Sequence, residues 1–311
     1  MLPELPIVYR RAKAFILALP APTRALRALL PDPRLTPIEV WPGTSALTAV
    51  AFEYEDTSIG PYREAALSVP CRWHCRANVP LLPLIAEKHL KDVGHWVQLL
   101  PVTTSAADEA GRGIWGYPKF VAQIEIEQTA SKMRCRVLEA GQLVFGFEID
   151  RPGPSRPMRF PVRTYSLLDD EIHFTEIDVD AVGARRFLGA RGSLELGSHP
   201  RLAGLPPIHR IGSRALETRW FDEYRLALRL AADCVPPGHR PPWTRCASAP
   251  ALPGSRWCSP DRRALAIERV GPRMPEGCPC PPPKRRRRPS QGRTRRDPWW
   301  PMGPPWWATS C

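Results

Sequence analysis

The first 233 residues of this chain contain little cysteine and no long apolar run. They hold three of the nine cysteines, Cys71, Cys75 and Cys135, too few for the disulfide framework of a small secreted domain. No stretch reaches the roughly 18 to 20 apolar residues that a membrane-spanning helix needs. The apolar run at residues 14–19 is also too short for a usual signal sequence. We therefore expect a cytoplasmic protein with no membrane contact.

The sequence also lacks the patterns of nucleotide-binding folds. It has no internal repeat, no glycine-rich phosphate loop and no regular alternation of strands with helices. Its hydrophobic content of 43% over 311 residues is nevertheless enough for a substantial core. These features predict a folded domain, but not one of the parallel α/β class.

Positive charge is concentrated near the C-terminus. Residues 234–311 carry 15 Lys and Arg against 4 Asp and Glu, and they hold 18 of the 39 prolines. The other 233 residues have a net charge of only +2. We predict a folded domain over residues 1–233 and a low-complexity, disordered tail over residues 234–311. The basic run at 284–288 leaves nucleic-acid binding or a nuclear address open, although a tail without selected function is favoured.

Alternating apolar residues predict a series of short strands. Residues 46–55 and 63–73 form two of them, separated by a Gly60-Pro61 turn. Further strands are predicted at 119–127, 133–139, 143–149, 158–165, 172–179, 193–196 and about 209–224. One short helix is expected to be capped by Thr23, and another to begin at residues 105–108 and stop at Gly111. Such short strands become stable in a closed, mostly antiparallel barrel.

One lysine is set among large apolar rings just after a Gly/Pro turn. The segment Gly111-Arg-Gly-Ile-Trp-Gly-Tyr-Pro-Lys-Phe120 places Lys119 near Trp115 and Tyr117. A lysine in water has a pKa of about 10.4, and desolvation lowers that pKa by about 3 to 5 units. Lys119 is therefore a candidate nucleophile that attacks a carbonyl to form an imine. The alternative is an exposed lysine at a strand edge.

Three segments resemble the acetoacetate decarboxylase family. Gly111-Arg112 followed by Tyr117-Pro118-Lys119 is similar to the family's active-lysine segment. Residues 56–64 resemble the stretch that carries a pocket glutamate, and residues 25–33 resemble an early helix that ends at a proline. The resemblance implies a mainly β (α+β) fold: a cone-shaped antiparallel barrel with a few peripheral helices and the lysine inside it.

The resemblance also implies an activity. It indicates a cofactor-free Schiff-base carboxy-lyase that decarboxylates a small β-keto acid through an imine on Lys119, in a homo-oligomer. Glu64 would be the acid–base group, and Arg11, preferred over Arg10, would bind the substrate carboxylate. The walls around the amine would come from Tyr62, Trp115 and Tyr117.

Phe120 departs from the family pattern, since it stands where the decarboxylase has a second lysine. Any lowering of the lysine pKa by an adjacent cation is then missing, and burial has to supply it. Two alternatives stay open: aldol or dehydration chemistry on a pyruvate-like substrate through the same imine, or a catalytically degenerate barrel with a nucleic-acid-binding tail. Because strand residues alternate between faces, Lys119 in a cavity places Phe120 in an outer packing layer.

A zinc site at Cys71, His74 and Cys75 is disfavoured. Three ligands within five residues of one strand do not converge on a tetrahedral centre. We therefore expect no metal.

Overall fold

The computed structural model describes residues 3–74, 80, 89–203, 205, 210–211 and 214–229. The predicted domain boundary at residue 233, the tail and Cys75 lie outside this part of the chain. Within these ranges, no helix has the length and apolarity needed to cross a membrane.

The described chain is built almost entirely of strands. The strands are β1 (Ile7–Pro22), β2 (Leu35–Pro37), β3 (Glu39–Trp41), β4 (Thr44–Thr57), β5 (Tyr62–Trp73), β6 (Val93–Val102), β7 (Lys119–Val121), β8 (Gln123–Gln128), β9 (Lys132–Glu139), β10 (Gln142–Asp150), β11 (Arg156–Leu168), β12 (Glu171–Leu196), β13 (Arg210–Ile211) and β14 (Arg214–Leu228). Two α-helices, α1 (Thr23–Arg27) and α2 (Ser105–Trp115), and a 3-10 turn at Pro200–Leu202 accompany them in the same ranges.

Seven of the strands close into a barrel. Their hydrogen-bonded order is β11–β6–β5–β4–β1–β14–β12, and β12 pairs back with β11. Neighbouring strands run antiparallel except for β6 and β11, which are parallel. Closure leaves no unpaired edge in the ring, which stabilises strands that could not persist alone. The predicted mainly β barrel is confirmed, although one pair of neighbouring strands, β6 and β11, is parallel.

A second layer packs on the outside of this barrel. The last residues of β12 leave the ring and pair with β10, which continues into β9 and β8. Alternation along β1 directs Phe15 outward into the core beneath this layer, and Ala14 inward into a separate core inside the barrel. Phe120 lies in the outer core, as the alternation argument predicted.

Two of the barrel strands, β1 and β6, were not predicted from the sequence. β1 lies between the barrel interior and the second layer, so residues 14–19 are all buried except Ile16, which is half-buried. β6 is likewise buried along most of its length. A strand covered on both faces shows a continuous apolar run instead of period-two alternation. Periodicity alone does not distinguish such a run from a segment of a buried helix.

The helix boundaries also differ from the prediction. The residue before α1 is Pro22, and no side chain caps this helix; the Thr23 hydroxyl lies 2.9 Å from that of Ser45 instead. Helix α2 does not stop at Gly111 but continues to Trp115, and Gly116 ends it with a φ of 63°.

Candidate active site

Helix α2 and the turn after it position Lys119. Thr104 caps the helix by accepting a hydrogen bond from the Ala107 backbone N–H at 3.4 Å. Gly116 adopts the left-handed conformation that glycine reaches without strain, and a Cβ there would lie 2.3 Å from the Leu167 carbonyl oxygen. The chain then enters β7, where Lys119 is in register with Leu100 of β6.

Gly111 makes room for the Lys119 side chain. A Cβ at residue 111 would lie 2.4 Å from both Cδ and Cε of Lys119. That distance is far below van der Waals contact, so even an alanine would displace the lysine. The glycine predicted to stop the helix therefore lies within it and serves the packing of Lys119.

Lys119 and Glu64 meet in the barrel interior. The Lys119 Nζ donates a hydrogen bond to Glu64 Oε2 at 2.5 Å, and the two residues are only 9% and 7% exposed. An isolated buried charge is costly, and contact with an opposite charge offsets that cost. Arg63, the neighbour of Glu64 in β5, points away and binds Glu53 at 2.9 Å. The structure thus brings two predicted site residues together.

Three tyrosines surround this pair. The Tyr54 hydroxyl donates to the other oxygen of Glu64, Oε1, at 3.4 Å. The hydroxyls of Tyr9 and Tyr62 lie 2.9 Å apart, and the Tyr62 ring centroid is 5.9 Å from the Lys119 Nζ. Burial, and next the negative charge of Glu64, raise the pKa of all three hydroxyls above the usual value. They are therefore neutral hydrogen-bond donors at neutral pH.

A cavity of about 160 Å³ lies inside the barrel, and its wall includes Lys119, Glu64 and Tyr117. The Tyr117 hydroxyl lies 2.8 Å from that of Thr164. Much of the remaining wall is aliphatic or aromatic, as at Val50, Ala66, Val97, Leu100, Phe160 and Ile177. Among the predicted wall residues, Tyr117 lines the cavity. Tyr62 does not line it, but its ring lies close to the Lys119 amine.

Trp115 and Arg11 do not line this cavity, contrary to expectation. Trp115 is fully buried behind the site, and its indole N–H donates to the Arg229 carbonyl oxygen at 2.8 Å. Arg11 is exposed, and its Nε lies 2.7 Å from a carboxylate oxygen of Glu55. The pairing of β1 with β4 is irregular on both sides of Arg11, and Arg10 and Arg11 both point to solvent as a result.

Arg219 of β14, which sequence reasoning missed, does line the cavity. Its guanidinium donates to the two carboxylate oxygens of Glu217 at 2.8 and 3.0 Å, and Arg185 of β12 contacts the same carboxylate. Burial by itself would raise the pKa of Glu217, but the charges and hydrogen bonds of the two arginines outweigh it and hold this pKa below its ordinary value. The strand around 209–224 was predicted, but nothing in its sequence shows which face lies inside.

Among the described residues, no cluster of three or more His, Cys, Asp or Glu side chains could hold a metal ion. Cys71 is buried in the outer core, and burial raises the pKa of its thiol to about 12. Buried thiols with a raised pKa are inert as nucleophiles.

The fold and the site define a class of protein: a closed mixed β-barrel that buries a lysine amine against a glutamate carboxylate in an internal cavity. The sequence model of the family described as acetoacetate decarboxylase (ADC) matches residues 2–213. The chain belongs to this family, as the three sequence segments predicted.

Two solved acetoacetate decarboxylase structures show the same fold. An acetoacetate decarboxylase from Legionella pneumophila is 16% identical, with a TM-score of 0.50 over 73% of this chain and 86% of that one. A second acetoacetate decarboxylase structure is 13% identical, with a TM-score of 0.52 over 74% and 89% of the two chains. The enduracididine biosynthesis enzyme MppR, complexed with pyruvate, is 14% identical, with a TM-score of 0.48 over 75% and 93%. A search of curated proteins finds no match.

Proposed function

We propose that Lys119 forms an imine with a small β-keto acid and that the chain decarboxylates this substrate. The observation that carries the proposal is the 2.5 Å contact between the Lys119 Nζ and Glu64 Oε2 in the wall of an internal cavity. Membership of the acetoacetate decarboxylase family supports a Schiff-base enzyme. A nucleophile within hydrogen-bond reach of its base is the arrangement that covalent catalysis needs.

The two side chains would act in sequence. Glu64 accepts a proton from Lys119, and the neutral amine attacks the ketone carbon. Glu64 then returns the proton to the carbinolamine hydroxyl, which leaves as water and yields a protonated imine. The bond to the carboxylate breaks and carbon dioxide leaves; the electron pair of that bond forms the carbon–carbon double bond of an enamine, while the π pair of the imine moves to nitrogen. A proton taken up from water adds to the enamine carbon, and hydrolysis of the resulting protonated imine releases the ketone and restores protonated Lys119.

The surroundings of the pair favour these steps. Tyr54 binds Oε1 of Glu64 and so leaves Oε2 to exchange the proton with Lys119. The apolar wall solvates a carboxylate poorly, and this favours the step that converts the carboxylate into neutral carbon dioxide. The neutral tyrosine hydroxyls add hydrogen-bond donors without adding a competing base.

Aldol or dehydration chemistry through the same imine is the second candidate, and the position of Phe120 favours it. The decarboxylase has a second lysine here, whereas Phe120 packs in the outer core with the Arg201 guanidinium 3.8 Å from its ring centroid. This position therefore supplies no cation to the amine of Lys119. A protein with the imine but without that cation would still activate a pyruvate-like ketone toward carbon–carbon bond formation.

Borohydride reduction in the presence of acetoacetate or pyruvate, followed by peptide mass mapping, tests the proposal. We expect an adduct on Lys119 together with release of carbon dioxide from acetoacetate above the spontaneous rate. An adduct with both substrates without carbon dioxide release would favour the second candidate. No adduct with any keto acid would refute the imine and leave a degenerate barrel. Lys132→Gln, at an exposed lysine, is the control that must keep the adduct that Lys119→Gln loses.

A further inference from the structure

The cavity has a second charged group besides Lys119 and Glu64. We call Arg219, Glu217 and Arg185 the arginine group. Arg219 and Glu217 line the cavity, and both guanidinium groups contact the single carboxylate. The group thus places two guanidinium groups around one carboxylate.

The strand register places the arginine group across the barrel from Glu64. Glu64 of β5 is in register with Phe52 of β4, which is in register with Ala14 of β1. Ala14 is in turn in register with Phe221 of β14. Arg219 lies two residues from Phe221, about 7 Å along the strand. Because β4 and β1 separate β5 from β14 in a ring of seven strands, the two walls face each other.

The wall between the two charged groups is apolar. In the same register, Arg219 is aligned with Ile16 of β1, Val50 of β4 and Ala66 of β5, and all three line the cavity. The cavity volume of about 160 Å³ is close to that of a dry protein cavity, about 150 Å³, that holds benzene. A ligand of a few carbon atoms with polar groups at both ends suits this space.

We propose that the substrate is a dicarboxylic β-keto acid whose second, non-reacting carboxylate binds Arg219. This inference rests on the proposed imine chemistry at Lys119. Arginine is suited to the task because its planar donors match a carboxylate. The aliphatic wall then accommodates the methylene groups that join the two ends.

The reacting carboxylate is a poor ligand for Arg219. It lies two bonds from the carbon that Lys119 attacks, whereas Arg219 is on the opposite wall. A cation bound to it would also stabilise the charge that decarboxylation removes, and so would favour the ground state over the transition state. A distant carboxylate keeps its charge throughout, so its contact with Arg219 persists in the transition state.

The first test compares 3-oxohexanedioate with 3-oxohexanoate, which differ only in the terminal carboxylate. For the unmodified protein we expect kcat/KM to be at least about tenfold higher for the diacid, as a charge-assisted hydrogen bond provides. Arg219→Met should abolish this preference by lowering kcat/KM for the diacid, and Arg219→Lys should keep part of it. Equal values for the two acids in the unmodified protein would overturn the inference, whatever the variants do.

Arg225→Met is the matched control, because Arg225 forms the same kind of pair with Glu223 on β14 but is exposed outside the cavity. It should leave the diacid preference intact. If Arg225→Met also lost the preference, any positive charge on β14 would be enough to produce it. That result would contradict a specific role for Arg219 in the cavity.

A second test separates this inference from the proposed function. Borohydride trapping with 4-oxopentanoate and with 2-pentanone, the two decarboxylation products, requires the imine but no loss of carbon dioxide. We expect half-saturation at about tenfold lower concentration for 4-oxopentanoate, and no difference in Arg219→Met. Equal trapping of both ketones on Lys119 would overturn the role of Arg219 and leave the imine standing. Trapping of neither ketone, nor of acetoacetate, would overturn both proposals.

Discussion

Gly111 and Lys119 are packed so closely that a single methyl group on residue 111 would overlap the lysine side chain at Cδ and Cε, 2.4 Å away. Helix α2 thereby fixes the path that the amine takes to Glu64. The geometry of the proposed nucleophile thus depends on a residue that carries no chemistry of its own.

Gly111→Ala should therefore lower kcat strongly, by about tenfold or more, because small displacements of a reacting group are costly. Borohydride trapping on Lys119 should slow in parallel. Gly113→Ala, at an exposed position in the same helix, is the control; it should keep activity and gain stability, since alanine exceeds glycine in helix propensity by about 1 kcal/mol. Full activity in Gly111→Ala would show that the tight contact is irrelevant to catalysis.

Glu64→Gln tests the proposed proton transfer. The amide keeps the size of the side chain and can still accept a hydrogen bond from Lys119, but it cannot exchange a proton. We expect kcat to fall by about 10² to 10⁴-fold, the usual contribution of a general acid–base. Glu53→Gln, on the outer face of the barrel, should leave kcat within about twofold. An unchanged kcat in Glu64→Gln would assign the proton transfers to another group.

Because of the three buried tyrosines around Glu64, we expect the protein to lose stability at alkaline pH. Burial first, and then the charge of Glu64, raise the pKa of Tyr54 and Tyr62 well above the usual value. Their stabilising contribution is therefore complete below the unfolded-state pKa of about 10. It is lost as the pH rises beyond that value. Urea unfolding between about pH 8 and pH 11 measures this loss, and Tyr54→Phe should reduce it. Identical pH profiles for the two proteins would contradict the prediction.

At acid pH, Glu217 should make the stability of the protein fall as the pH falls. Arg219 and Arg185 outweigh the effect of burial and hold its pKa below the ordinary value. Its contribution is thus present above the unfolded-state pKa of about 4.3 and is lost as the pH falls through the lower folded-state pKa. Glu217→Gln should lower stability at neutral pH and flatten the acid limb of the profile, whereas Glu223→Gln, at an exposed carboxylate, should change neither. A steep acid limb retained in Glu217→Gln would assign the acid sensitivity to other carboxylates.

What the sequence revealed about the strands depended on alternation and on turn residues. β9 was predicted to within one residue, because one of its faces differs in polarity from the other. β4 and β5 are buried on both faces over much of their length, but the Gly60-Pro61 turn between them marks where one ends and the next begins. β1 and β6 are buried on both faces and gave no such signal. The order and register of the strands in the ring could not be predicted, since they depend on pairings between residues distant in the chain.

The same limit applies to the site. Lys119 and Glu64 were found because local motifs surround them, and the structure places them in contact. Arg11 was proposed for the cavity from spacing alone, but the irregular pairing of β1 turns it outward. Arg219 and Tyr54 reach the interior through register and barrel closure, which no local pattern of residues specifies.

Imine-based decarboxylation on Lys119 is tested by identifying the group left on this side chain after borohydride reduction with acetoacetate. We expect an isopropyl group on Lys119 at reaction times too short for spontaneously formed acetone to give the same product. That group is the reduced imine of the decarboxylated substrate. An unmodified Lys119, with acetoacetate consumed no faster than in buffer, would refute both the imine and the decarboxylation.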